Sequence, residues 1–281
     1  MNLSDIKTIE HIFKKHGFSF KKSLGQNFLI NASVCPSMAA KACDSDTGVL
    51  EIGPGIGVLT HELSKVAKKV VAIELDERLK KILPETLSDC NNVEVIYGDV
   101  MKLDLHKIIK EKFSDCERIS ICANLPYYIT SPIIMMLLEN KLPINNITVM
   151  VQKEAAQRLC AEVGTRDAGA VTIAVNYYAN SKILFEVDRY SFMPPPNVDS
   201  AVISLEIRKN PPINIENEKK FFSLVKSAFA QRRKTLVNTV SNTSNFTKEQ
   251  IKDALNEIGL NESIRAEQLT MQDFANLSNK L

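Results

Sequence analysis

Glu51-Ile52-Gly53-Pro54-Gly55-Ile56-Gly57 directly follows the apolar pair Val49-Leu50 and runs into a stretch with helical spacing, Val58 to Ala67. A strand that ends in alternating glycines and then starts a helix is a βα turn of an open α/β sheet. Glycine lets the backbone turn tightly there and come close to a ligand at the carboxyl end of the strand. The spacing is G-x-G-x-G and not the G-x-G-x-x-G of dinucleotide folds, and alone it is weak evidence for a nucleotide-like site.

Outward from this loop, short β-branched runs recur at Val70 to Glu74, Val93 to Tyr97, Ile119 to Ala123 and Ile147 to Val151. Continuous apolar strands with helices between them predict a mostly parallel sheet covered on both faces, an α/β fold. A helix is expected over Pro132 to Glu139, with its proline in the first turn. Two further strands are expected at Ile183 to Val187 and Val198 to Ile207, joined through Met193-Pro194-Pro195-Pro196 as an antiparallel edge, which makes seven strands. After Asn210-Pro211-Pro212 the strand pattern stops. The chain is therefore divided into a domain over 1–210 and a small all-helical domain over 211–281. In the latter, Phe221, Phe222, Val225 and Phe229 mark one helix; Thr247 with Gln250 forms a capping box for another that stops at Gly259; and Thr270 with Asp273 starts a third.

The totals exclude several classes. The chain has 281 residues, 44% hydrophobic, with a formal net charge of +2. That charge is too small to mark a nucleic-acid binder, so any basic signal must be local. No apolar run approaches the roughly 20 residues that cross a bilayer, and Met1 to Glu10 lacks the apolar core of a secretion signal, so a cytoplasmic protein without membrane association is expected. The six cysteines have no C-x-x-C pair, which argues against a zinc site or a disulfide framework.

The acids at the strand ends add chemistry. Glu74 closes the second strand, where a carboxylate accepts hydrogen bonds from ribose hydroxyls, and Asp99 follows the third, within reach of an adenine amine. Singly, each is more often a solvated strand end or a helix cap. Together with the glycine loop they favour an adenosyl cofactor without a pyrophosphate. The fourth strand ends in Asn124-Leu125-Pro126-Tyr127. The exocyclic amine of adenine is a poor nucleophile because its lone pair is delocalised into the ring. The Asn124 side-chain oxygen and the Leu125 carbonyl are two acceptors for its two N–H groups, and they favour the pyramidal form whose lone pair can attack a methyl group. Pro126 fixes the backbone, Tyr127 offers a ring for stacking, and Phe192 is a candidate for the opposite wall, with the core as its alternative. An unpaired or flipped adenine is implied.

These residues resemble the ribosomal RNA adenine dimethyltransferases of the small-subunit (16S) branch, over nearly the whole chain. The resemblance rests on Leu24-Gly25-Gln26-Asn27-Phe28-Leu29, the glycine loop, Glu74, Gly98-Asp99, Asn124-Leu125-Pro126-Tyr127-Tyr128, Val151-Gln152-Lys153-Glu154, Phe192 to Ser200 and Gln231 to Leu236. It implies a Rossmann-like class I methyltransferase domain that uses S-adenosylmethionine, with Asn27, Leu29, Gly53, Gly55, Glu74, Asp99 and Asn124 toward the cofactor. It also implies N6,N6-dimethylation of two adjacent adenosines near the 3′ end of small-subunit ribosomal RNA, in an immature 30S-type subunit, with a role in its biogenesis. A monomer that needs no metal is expected. The chain departs from the family at Ala168-Gly169-Ala170, where a bulkier run is common.

For RNA contact the candidates are Lys21 and Lys22, in an N-terminal stretch that also carries Lys7, Lys14, Lys15, His11, His16, Phe18 and Phe20, and the cluster Arg232, Arg233 and Lys234. Solvated helix faces explain most such runs. Three rival readings remain: a DNA adenine methyltransferase, the large-subunit RNA branch, and a mainly non-catalytic assembly factor.

Overall fold

A computed structural model describes residues 1–19 and 27–281, so Lys21 and Lys22 lie outside the described residues. The chain forms two compact units, Met1–Ala156 with Lys182–Ile207, and Gln157–Ser181 with Arg208–Leu281.

The first unit begins with α1 (Ile6–His16), capped by Asp5, whose carboxylate accepts from Thr8 N at 3.0 Å, and ended by Gly17 at φ +62°. Its buried face is Ile9, Ile12 and Phe13. A two-residue strand, β1 (Phe28–Leu29), precedes α2 (Val34–Ala42). Strands and helices then alternate: β2 (Thr47–Ile52), α3 (Val58–Val66), β3 (Lys69–Glu74), α4 (Leu83–Thr86), β4 (Val93–Tyr97), α5 (Leu105–Lys112), β5 (Arg118–Asn124), α6 (Thr130–Glu139) and β6 (Asn146–Gln152). The helix α7 (Lys153–Leu159) follows β6, and α8 (Ala170–Tyr178) leads into β7 (Ala179–Val187), β8 (Phe192–Met193) and β9 (Ser200–Ile207).

One sheet holds seven strands in the order β4-β3-β2-β5-β6-β9-β7. The first five pair in parallel, with Val49 opposite Val70 on one side of β2 and Ser120 on the other. β9 runs antiparallel to β6, from Asn146↔Glu206 to Gln152↔Ser200. Every residue of β2 is buried, as a strand covered on both faces requires. β3 and β4 lie on one side of β2, while β5 lies on the other, so the order reverses at β2. Open α/β sheets bind ligands at such a switch point, outside the carboxyl ends of the strands.

The expected strands are present: Val93–Tyr97 keeps its bounds, four others gain one or two residues, and the strand expected from Ile183 starts four residues earlier, at Ala179. Three expectations need correction. The helix expected from Pro132 begins at Thr130, whose hydroxyl donates to Pro126 O at 3.2 Å. The strand expected from Val198 begins at Ser200. The proline-rich turn is not only a connection: Phe192–Met193 pairs antiparallel with Phe28–Leu29, and the Met193–Pro194 peptide is cis.

The second unit is helical: α8 with α9 (Glu218–Ala228), α10 (Leu236–Thr243), α11 (Lys248–Glu257) and α12 (Met271–Lys280). The expected capping boxes are formed, Gln250 N donating to Thr247 Oγ1 at 3.2 Å and Asp273 N to Thr270 Oγ1 at 3.1 Å, and Gly259 takes φ +75°. The division of the chain differs from the boundary expected at 210/211. Residues 157–181 belong with the helices because Ile173 joins their core and Tyr177 packs at 6.1 Å from Phe221 and 5.4 Å from Phe222.

Candidate active site

A crevice at the carboxyl ends of β2, β3, β4 and β5 gathers most of the residues singled out above. Asn27, Leu29, Gly53, Gly55, Glu74, Asp99, Asn124, Leu125, Pro126, Tyr127 and Phe192 all line it. The two-residue pairing of β1 with β8 explains how residues from both ends of the unit reach it. Leu29 opposes Phe192, Ile30 N donates to Ser191 O at 2.8 Å, and Asn31 Nδ2 donates to Ser191 Oγ at 3.1 Å.

The glycine loop is a run of left-handed turns, with φ +70° at Gly53, +59° at Gly55 and +92° at Gly57. A β-carbon at Gly57 would sit 2.8 Å from Leu87, so even a residue tolerating that φ would collide. Glu74 locks the loop. Its Oε2 accepts from Gly55 N at 3.1 Å and its Oε1 from Asp76 N at 2.7 Å, across a side chain only 6% exposed. Burial raises its carboxyl pKa, and the two backbone donors pull the other way. A carboxylate oxygen has more than one acceptor direction, so both oxygens keep capacity for further donors. Asp99 turns the backbone after β4 by accepting from Met101 N at 3.0 Å, and Lys102 stands 3.5 Å from its other oxygen.

At the end of β5, Leu125 N donates to Met150 O at 3.2 Å, which ties the start of the turn to β6. Pro126 follows at φ −58°, and its carbonyl accepts from Ile129 N at 3.2 Å. The Asn124 side chain makes no hydrogen bond to another described residue and stands at the crevice wall. Tyr127 is half-buried, with its hydroxyl 2.7 Å from Ser200 Oγ on β9; burial raises its pKa. That hydrogen bond fixes the orientation of the ring. Phe192 is 2% exposed and belongs to the core while also lining the crevice.

Sequence reasoning passed over Glu51. It lies on β2 at the crevice floor, about 1% exposed, and its Oε2 has no hydrogen-bond partner among the described residues. Burial, reinforced by the nearby Glu74, pushes its carboxyl up to about 8. No periodicity marks it, because an acid in a buried strand reads from sequence as part of the glycine loop.

The basic residues divide. Lys15 and His16 both pair with Glu85 at 2.8 Å, and Phe18 packs 5.0 Å from Phe13 with the Arg78 guanidinium 4.6 Å above its ring. These side chains serve the first unit's own packing. In the second unit Arg232, Arg233 and Lys234 are all exposed; Arg232 donates to the carbonyls of Arg166 at 2.5 Å and Ala168 at 3.4 Å, while the other two side chains make no hydrogen bond or ion pair with a described residue.

A family model described as ribosomal RNA adenine dimethylase matches residues 17–281. A relative in Geobacillus thermodenitrificans, named ribosomal RNA small subunit methyltransferase A, is 51% identical over 276 residues, covering 97% of this chain and 94% of the relative. One of the same name in Bacillus pumilus is 48% identical over 280 residues, covering 98% and 96%. Among solved structures, a dimethyladenosine transferase from Plasmodium falciparum is similar with TM-score 0.70 and 30% identity, over 89% of this chain and 95% of that one. The 23S rRNA methyltransferase ErmE is similar with TM-score 0.65 and 26% identity, over 91% and 99%.

Proposed function

The chain belongs to the ribosomal RNA adenine dimethylase family, and we propose that the crevice of its first unit is where it methylates the exocyclic amine of adenine in small-subunit ribosomal RNA. It is an S-adenosylmethionine-dependent adenine methyltransferase. When bound, that cofactor supplies a methyl group made electrophilic by a positively charged sulfur.

The crevice suits such a cofactor. Glu51 Oε2 is a buried acceptor without a partner, Glu74 keeps acceptor capacity beyond its two backbone donors, and Gly53 has nothing within 4 Å of where a β-carbon would stand, so its backbone is open to close approach. Asn27, Leu29, Gly53, Gly55, Glu74, Asp99 and Asn124 hold the cofactor. The Asn124 side-chain oxygen and the Leu125 carbonyl bind the two N–H groups of the adenine and favour a pyramidal nitrogen. Tyr127 and Phe192 flank the base, and the Ser200 hydrogen bond keeps the Tyr127 ring from rotating away. No side chain acts as a strong base, because the amine's proton becomes acidic only once the nitrogen is alkylated, and it leaves to water.

The substrate is an immature small subunit, and each of two adjacent adenosines near the 3′ end of its RNA receives two methyl groups. The relatives named as small-subunit methyltransferases, at 48–51% identity, support the small-subunit branch over the large-subunit one. Among the described residues no helix is long and apolar enough to cross a membrane, and work on ribosomal RNA fits the cytoplasm. The acceptors at Asn124 and Leu125 require no metal.

The observation that carries the reading is the convergence of Gly53, Glu74, Asp99 and Asn124, one at the end of each of four parallel strands, on a single crevice. Asn124→Ala tests it: methyl transfer to immature small subunits is expected to fall by at least about a hundredfold, the scale of losing one preorganised polar contact at a reacting centre. Thermal unfolding should not change. Near-normal turnover would overturn the mechanism.

A further inference from the structure

Seven large apolar side chains are exposed among the described residues, and three of them, Leu75, Met101 and Tyr128, line the crevice. Exposed apolar groups gathered at one concave site mark a surface that something planar or apolar covers. Leu75 follows Glu74 and Met101 comes two residues after Asp99, so both belong to the side of the cofactor acids. Tyr128 belongs to the other side, next to Tyr127.

The two tyrosines occupy one 3-10 turn, Tyr127–Ile129. That helix type has about three residues per turn, so consecutive side chains point roughly 120° apart. Tyr127 is turned inward and its hydroxyl is held by Ser200. Tyr128 is 58% exposed, and its hydroxyl makes no hydrogen bond to another described residue. The turn beneath it is not loose: the Pro126 carbonyl accepts from both Ile129 N and Thr130 Oγ1, each at 3.2 Å, and α6 starts at once. The ring is therefore displayed in water on a fixed backbone beside the adenine acceptors.

We propose that Tyr128 stacks on the base next to the target adenine in the RNA chain and so positions the target for entry. The proposal rests on the methyltransferase reading above. A base drawn out of its stack leaves its neighbour with a bare face, and an aromatic ring at the mouth of the crevice replaces the lost partner. With two adjacent adenosines as substrate, each serves as the stacking neighbour while the other is methylated, so the same ring serves both.

Methyl transfer to immature small subunits by Tyr128→Ala, Tyr128→Phe and Tyr128→Trp tests this. Stacking of one base on an aromatic ring is worth about 1–3 kcal/mol, which converts to a loss of roughly 5- to 150-fold in kcat/KM for the RNA in Y128A. The KM for S-adenosylmethionine should stay unchanged, and Phe and Trp should restore activity. Small subunits in which one of the two adenosines is replaced by uridine, a weaker stacking base, should be poorer substrates for the wild type at the remaining adenosine. Y128A should be insensitive to that replacement. The proposal is overturned by a Y128A kcat/KM within twofold of wild type, by losses that add in full with the uridine replacement, by failure of Phe to rescue, or by a Y128A defect that follows cofactor KM or thermal stability. If Asn124→Ala abolishes transfer while Y128A is unaffected, the methyltransferase mechanism stands and this inference alone fails.

Discussion

Glu51 places a carboxyl group in a strand buried on both faces, with Oε2 unpartnered among the described residues and Glu74 close by. Desolvation disfavours the ionised form, and the group stays neutral up to about pH 8. In the unfolded chain it ionises at its ordinary value, near 4.5. Between those two values the folded protein holds a proton that the unfolded chain has lost. Its contribution to stability is therefore complete below about pH 4.5 and is lost as pH rises toward about 8, at no more than ~1.4 kcal/mol per pH unit. Denaturant unfolding across that window should show the decline in the wild type and a flatter profile in Glu51→Gln; an identical decline in both would remove Glu51 as its source. Glu74 and Asp99 were legible because strand-end acids have a position that periodicity reveals. Glu51 was not, because only the packing shows that its carboxyl is buried and that one oxygen has no partner among the described residues.

At the scale of elements, the parallel strands were legible because continuous β-branched runs between helical stretches have few other solutions. The pairing of Phe28–Leu29 with Phe192–Met193 was not: two residues carry no period, and their partners lie some 160 residues apart. Asn27 and Leu29 are for that reason marked in the sequence by family resemblance only. The turn between α9 and α10 carries the basic cluster, and there the structure separates residues that sequence treats alike. All three are exposed, but Arg232 spends its guanidinium on the carbonyls of Arg166 and Ala168, whereas the Arg233 and Lys234 side chains make no hydrogen bond or ion pair with a described residue. If the exposed pair grips RNA phosphates, the double variant Arg233→Ala with Lys234→Ala should weaken binding and flatten its dependence on salt, the slope of log K against log salt falling by about 1 to 2. An unchanged slope would remove the pair from the RNA surface.

At the scale of the whole molecule, the chain leaves the first unit after Ala156, returns at Lys182 and leaves again after Ile207. The second departure was visible, since strand patterning ends near Asn210-Pro211-Pro212. The first was not, because α8 reads like any helix between two strands and only its contacts, Tyr177 against Phe221 and Phe222, assign it to the helical unit. Neither excursion touches the parallel strands whose ends form the crevice. The direct measurement is transfer of labelled methyl groups from S-adenosylmethionine to immature small subunits, intact large subunits and DNA in parallel, with the product nucleosides identified. Label in small-subunit RNA as N6,N6-dimethyladenosine at two adjacent positions is the expected result; label confined to DNA or to large subunits would contradict it.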